Sequence, residues 1–236
     1  MSQSGDTSSG NFTNAGTLVL TDSDITTTYM TDNTNRSSNT TIYANNTTVI
    51  DNTDINVILT EIDRDSATRY AIYNKSGSTR IKNGSDIVIK TSSTGNTYGI
   101  YIENSTTGLD AGVTMTDSTL RVEAPKAIGV YVPNGQFTMG EKETDPSKIG
   151  TDIANMSSPA ITVIGSTSGI GVQKTNGIFE FYDGEIIGST QSITALPTET
   201  EYWYETEKTT DANGYEHCTL DYMRNNPNAN TNELGD

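Results

Sequence analysis

Four tyrosines, Tyr43, Tyr73, Tyr101 and Tyr131, recur at steps of 30, 28 and 30 residues. Rings repeated at a fixed step form a ladder. If it points outward it offers a platform on which sugar rings rest, and if inward it is core, the reading that the apolar neighbours of each tyrosine favour. Three aspartates, Asp24, Asp54 and Asp86, recur at nearly the same step. Stacked carboxylates supply several oxygens at once, as a hard cation wants, so these three are the candidate set for weak calcium binding. The competing reading is a row of solvated turn carboxylates that repel one another. Glycoside hydrolysis needs two carboxyl groups facing one sugar, one protonated and one ionised. Asp54 shares its slot with Asp24 and Asp86, which marks a repeated turn position and not a unique acid. The single histidine, His217, adjoins the single cysteine, Cys218. Successive strand residues point to opposite faces, which argues against a Cys-His nucleophile pair. With no serine elbow, phosphate loop or dinucleotide fingerprint, no catalytic residue is expected.

The elements that carry these residues repeat with them. Ala/Gly-Ile/Val-Tyr occurs at Ala71-Ile72-Tyr73, Gly99-Ile100-Tyr101 and Gly129-Val130-Tyr131, with Thr41-Ile42-Tyr43 before them and a fainter Gly171-Val172-Gln173 after them. A Ser/Thr-Asp-Ile element appears at Ser23-Asp24-Ile25, Thr53-Asp54-Ile55 and Ser85-Asp86-Ile87, then as Ser118-Thr119-Leu120 and Gly184-Glu185-Ile186. The last interval is double, which predicts that one copy is lost within an insertion at 141–158. A third element alternates apolar residues after a Gly or Asn turn, as in Leu18/Leu20, Val113/Met115, Phe137/Met139 and Phe179/Phe181. Short apolar runs of period two bounded by Asn, Asp, Ser and Gly are strand signals. In such turns Asp and Asn bond to nearby backbone, so their recurrence needs no ligand. The threonine runs Thr26-Thr27-Thr28 and Thr47-Thr48 are expected in turns, which argues against an ice-binding array.

Composition narrows the function classes. Thirty acidic against 14 basic residues give a net charge of -16, which repels phosphate backbones and anionic lipid. Nucleic-acid partners are not expected, and no apolar run reaches the roughly 18 residues of a membrane span. Only 32% of residues are hydrophobic and mean hydropathy is -0.51. A thin repetitive core fits these values better than one large globular core. The start is Ser/Gly-rich without the apolar stretch of a signal peptide.

A unit of about 30 residues with three short strands predicts an all-β fold, a single-stranded parallel β-solenoid of about five to six coils. Leucine-rich repeats need more leucine and a shorter period, and propeller blades need four strands. The expected organisation is an N-terminal linker at 1–13, the solenoid at 14–196, a capping β-hairpin at 197–223 turning at Asp211-Ala212-Asn213-Gly214, and a disordered tail at 224–236.

The cadence, above all Gly177-Ile178-Phe179-Glu180-Phe181-Tyr182-Asp183-Gly184-Glu185-Ile186, resembles repeats in large secreted surface proteins of Gram-positive bacteria. These are similar to right-handed parallel β-helices of the pectin-lyase-like superfamily. The resemblance covers about Gly16 to Gly188. It implies an extracellular, cell-surface place and a non-catalytic structural or adhesive role, with host or cell-wall glycans or surface proteins as partners. The superfamily also contains polysaccharide lyases and glycoside hydrolases. Asn52-Thr53-Asp54 and Arg80-Ile81-Lys82 match two polygalacturonase motifs, whereas the paired-Asp and Gly-His-Gly motifs are missing. A degenerate or truncated enzyme of that type is the alternative.

Overall fold

The computed structural model describes residues 12–14, 16–30, 38–60, 66–104, 111–142, 158–201 and 204–222. Twenty strands and no helix occur among them. The expected tail, most of the N-terminal linker, the interior of the 141–158 insertion, and Tyr202 and Trp203 lie outside the described residues.

Three parallel ladders run through the chain. The first joins β1 (Phe12–Asn14), β4 (Ser38–Ala44), β7 (Thr68–Asn74) and β10 (Asn96–Ile102), then the second halves of β12 (Thr119–Val132) and β14 (Ala160–Lys174). The second joins β2 (Leu18–Thr21), β5 (Thr48–Asp51), β8 (Ser78–Lys82), β11 (Gly112–Met115), β13 (Gln136–Met139), β15 (Ile178–Phe181) and β18 (Glu199–Thr200). The third joins β3 (Asp24–Met30), β6 (Asp54–Thr60) and β9 (Asp86–Thr91) to the first halves of β12 and β14, then to β16 (Glu185–Gly188). Because β12 and β14 run unbroken through two ladders, the first and third merge into one 13-stranded sheet beside a 7-stranded one. The architecture is therefore all-β with long parallel sheets.

Register partners make the core. Leu20, Ile50, Ile81, Met115, Met139 and Phe181 form one column, and Ile55, Ile87, Leu120, Ile161 and Ile186 another. From Ile50 and Ile55 onward every member is essentially fully buried. Burying such a side chain is worth about 1.5–3 kcal/mol, so the columns account for much of the stability of a chain this polar.

The Ser/Thr of the Ser/Thr-Asp-Ile element has a structural use. Thr53 and Ser85 are fully buried, and Ser85 donates to the Lys82 carbonyl while accepting from the Thr53 N–H at 3.1 Å. Thr53 in turn donates to the Asp51 carbonyl at 2.9 Å. The turns before the first four copies each contain a left-handed residue, Asp22, Asn52, Asn83 or Asp117, types whose short polar side chains tolerate that region. Asn52 also donates to the Asp22 carboxylate one repeat below at 2.6 Å. The element is a hydroxyl-stapled corner.

Two expectations change. The missing copy is not lost within the insertion: Ala160-Ile161, just after it, pairs with Thr119-Leu120 on one side and Glu185-Ile186 on the other. This copy, Pro159-Ala160-Ile161, has neither the hydroxyl nor the acid of the others. Thr26, Thr27 and Thr28 lie within β3 and not in a turn, since β-branched residues suit a pleated strand.

The hairpin expected after the repeats is present. β19 (Tyr204–Thr210) and β20 (Glu216–Tyr222) pair antiparallel, and β20 lies antiparallel on β16 with Ile186 opposite Cys218. Cys218 thereby ends an apolar column, fully buried, with its thiol pushed up to about 11 by burial. His217 takes the other face, with Nδ1 2.8 Å from a Glu185 oxygen.

Candidate functional site

The tyrosines lie on the outer face of the first ladder. Ile42 and Ala44 flank Tyr43, Ile72 and Asn74 flank Tyr73, and Ile100 and Ile102 flank Tyr101; all six flanking residues are fully buried while the rings are half-exposed. Period two then puts Tyr43, Tyr73, Tyr101 and Tyr131 outside. The inward alternative fails because the isoleucines already fill that side.

Two further tyrosines join them. In β7 the alternation slips where Ala71 and Ile72 are both buried, so Tyr70 and Tyr73 share the outer face. Tyr98 is the register partner of Tyr70 one repeat on. The signal for this pair was its 28-residue step, equal to that of Tyr73 and Tyr101, but no Ile-Tyr dipeptide marked it.

Six rings thus form one patch. Tyr43 stacks on Tyr73 with centroids 5.3 Å apart, and Tyr73 on Tyr101 at 4.9 Å, with planes within 14°. Tyr70 stacks on Tyr98 at 5.3 Å and meets Tyr73 and Tyr101 edge-on. Tyr131 departs from the single ladder: it lies edge-on to Tyr101 and stacks on Tyr98 at 5.6 Å. Its next register partner is Gln173, which offers no ring to continue the column.

Stacking decides what the patch can bind. A sugar between two rings needs contact distances of about 3.5–4.0 Å to each, hence a gap of about 7 Å. The observed spacings close the inner faces to such a guest. Burial pushes the Tyr70 hydroxyl up to about 12 and also raises Tyr98 and Tyr101. Tyr73 is raised by burial and by its hydrogen bond to Glu103. Glu103 also takes Lys75 at 2.5 Å, and its pKa is lowered, first by that bond. The patch is neutral and internally bonded.

Asp24, Asp54 and Asp86 are register partners at the starts of β3, β6 and β9. Asp24 and Asp54 are exposed, and Asp86 accepts a hydrogen bond from the Thr119 hydroxyl. No group of three or more His, Cys, Asp or Glu placed to hold a metal occurs among the described residues. Asp54 and Arg80 lie in different sheets, Asp54 in β6 and Arg80 in β8.

A second polar cluster was not foreseen. Glu180 and Glu199 are partners across β15 and β18, and the buried Tyr182 lies close enough to both for their charges to act on its hydroxyl. Lys142 pairs with Glu199 and lies 5.6 Å from the Tyr182 ring centroid, while Thr138 donates to Glu180 at 3.0 Å. Lys142 lowers the pKa of Glu199, and burial followed by the two glutamates raises that of Tyr182. Sequence spacing does not reveal the cluster, since its members come from β15, the residue after it, β18 and the edge of the insertion.

No protein-family model, curated protein or solved structure matches the chain.

Proposed function

We propose that the chain is a right-handed parallel β-helix of about five to six coils, closed by its C-terminal hairpin, that serves as a non-catalytic structural segment of an extracellular bacterial surface protein. The observation that carries this reading is the residue-by-residue register of all three ladders, in which hydroxyls, amides and carboxylates are bonded to the neighbouring repeat. Parallel connections within a sheet are right-handed in almost every case, which supports the hand. The cell-surface placement rests on the resemblance of the cadence. Adhesion to glycans or surface proteins is the finer version of the role. The close stacking of the tyrosines on one another favours a spacer over a stacking platform.

One observation speaks for the polysaccharide-enzyme alternative: two carboxylates, a lysine and a tyrosine hydroxyl converge at Glu180, Glu199, Lys142 and Tyr182. A glycosidase also needs a carboxyl group held protonated, and Lys142 drives Glu199 the other way. The spacer reading is tested by screening the folded chain on a glycan array with and without calcium, and on acidic and neutral polysaccharides for new reducing ends or unsaturated products. No binding and no cleavage supports the spacer. Binding lost in a folded Tyr43→Ala variant makes it an adhesin, and cleavage lost in Glu180→Gln makes it an enzyme.

A further inference from the structure

The terminal hairpin is held to the ladders along a short seam. Among the described residues β20 pairs with β16 where Cys218, His217 and Glu216 stand opposite Ile186, Ile187 and Gly188, so His217 is the middle residue of the contact. Glu216 accepts from the Ser192 N–H at 2.8 Å and from the Ser192 hydroxyl at 2.6 Å, and Lys208 donates to the Ile193 carbonyl at 3.2 Å. Alternation puts these ties on the Cys218 side of the hairpin, since Lys208 is the register partner of Cys218.

His217 serves the other side, with a carboxylate at each ring nitrogen. Nδ1 lies 2.8 Å from Glu185 Oε1, on β16, and Nε2 lies 3.5 Å from Asp211 Oδ2, in the hairpin turn. Asp211 is fixed in place: its Oδ1 accepts the N–H groups of Asn213 and Tyr215, each at 2.9 Å, and its Oδ2 also takes the Asn213 amide at 3.3 Å. Opposite the ring stand Ile187 on β16 and Thr209 on β19, with Glu207 and Tyr215 next along the same face by alternation. None of these neighbours is a cation. Two ionised carboxylates only accept hydrogen bonds, and a neutral imidazole has a single N–H to give. The imidazolium, with a proton on each nitrogen, satisfies both, and its pKa is accordingly raised, first by the bond to Glu185.

We propose that His217 is a pH-sensitive clasp for the hairpin: as imidazolium it ties β20 to β16 through Glu185 and to the hairpin turn through Asp211, and on losing its proton it loosens the hairpin while the ladders stay folded. The clasp depends on the hairpin pairing alone and holds for any role of the chain. Histidine is the side chain whose charge ordinarily changes near neutrality, so His217 is the group of its type at this seam. With a folded pKa above the ordinary value, the clasp is at full strength below about pH 6.5 and is lost as pH rises through the folded value. Loosening uncovers Ile186, at the end of its apolar column, and the edge of β16.

The test is hydrogen exchange of the full chain, without a histidine tag, followed by mass spectrometry in β20 and, as a reference, in β12 and β14 between pH 6 and pH 9, with the intrinsic pH dependence of exchange removed. Protection of β20 is expected to fall at least about threefold over this range, and that of β12 and β14, which also senses the ionisation of Asp183, to fall less. His217→Lys, a cation ordinarily charged throughout the range, is expected to keep β20 protected at pH 9, and His217→Gln to leave it weakly protected at pH 6. His217 is the single histidine, so its ring protons give the titration midpoint directly, expected above the ordinary value of about 6.5 and lowered in Glu185→Gln. A flat profile in the native chain, a fall that persists in His217→Gln, or a midpoint at or below the ordinary value overturns the clasp. So does a His217→Lys variant as unprotected as His217→Gln at pH 6, the mark of a ring that only packs. If His217→Gln fails to fold, Glu185→Gln decides: a smaller fall supports the clasp and an unchanged one overturns it.

Discussion

Tyr73 donates its hydroxyl to the carboxylate of Glu103, thirty residues further along the chain and one repeat away. Lys75 holds the same carboxylate, so three side chains of neighbouring repeats are tied at the rim of the tyrosine patch. The pKa of Glu103 is lowered, so its bonds add stability above the ordinary glutamate value and lose it as pH falls through the folded value. Glu103→Gln is expected to lower the melting temperature at pH 7 and to shrink the loss on acidification toward pH 3. Thermal melts of both proteins across that range check it.

Asp183 has the opposite sign. Burial raises its pKa to about 6, against the Gly184 N–H that favours its charged form. The folded state then holds the proton more tightly than the unfolded one, so ionisation costs stability as pH rises from about 4 through 6. Asp183→Asn keeps an oxygen for the Gly184 N–H and removes the buried charge. It is expected to raise the melting temperature at pH 8 and to leave it nearly unchanged at pH 4.

Gly129 sits where neighbouring repeats touch. A Cβ there lies 2.5 Å from the Gly171 carbonyl oxygen and 2.8 Å from Ile161. Gly129→Ala forces two repeats apart and is expected to destabilise by about 1–3 kcal/mol, read from denaturant midpoints. Ala71 fills the matching slot of an earlier repeat, so the loss tracks the local approach and not the motif.

Cys218 is core by position, with Ile186 opposite it. Burial removes both access and thiolate, so a thiol reagent is expected to label the chain only after unfolding. Rapid labelling of the native chain at pH 8 contradicts this placement.

Removing one ring from the stack separates packing from polarity. Tyr101 contacts Tyr73, Tyr70, Tyr98 and Tyr131. Tyr101→Phe is expected to be nearly neutral, whereas Tyr101→Ala loses several aromatic contacts worth about 0.5–1.5 kcal/mol each beyond the buried area. Equal losses in the two variants, measured by denaturant unfolding, show that the hydroxyl and not the stack holds the patch.

The cadence alone determined the strands, the repeat of about 30 residues, the apolar columns and the terminal hairpin, because inward positions must alternate and turns must contain Asn, Asp or Gly wherever a strand ends. It also foretold that Tyr43, Tyr73 and Tyr101 stack, since equal spacing in a parallel ladder puts equal residues in register. The face they occupy was decided only in three dimensions. A slip of alternation at Ala71 and Ile72 brings Tyr70 and Tyr98 beside them, and a slip of one residue leaves composition and spacing untouched. Ala160-Ile161 and the Glu180, Glu199, Tyr182 and Lys142 cluster were hidden for a related reason. Their partners are fixed by which strands pair after the insertion, and pairing across an insertion is a property of packing and not of sequence distance.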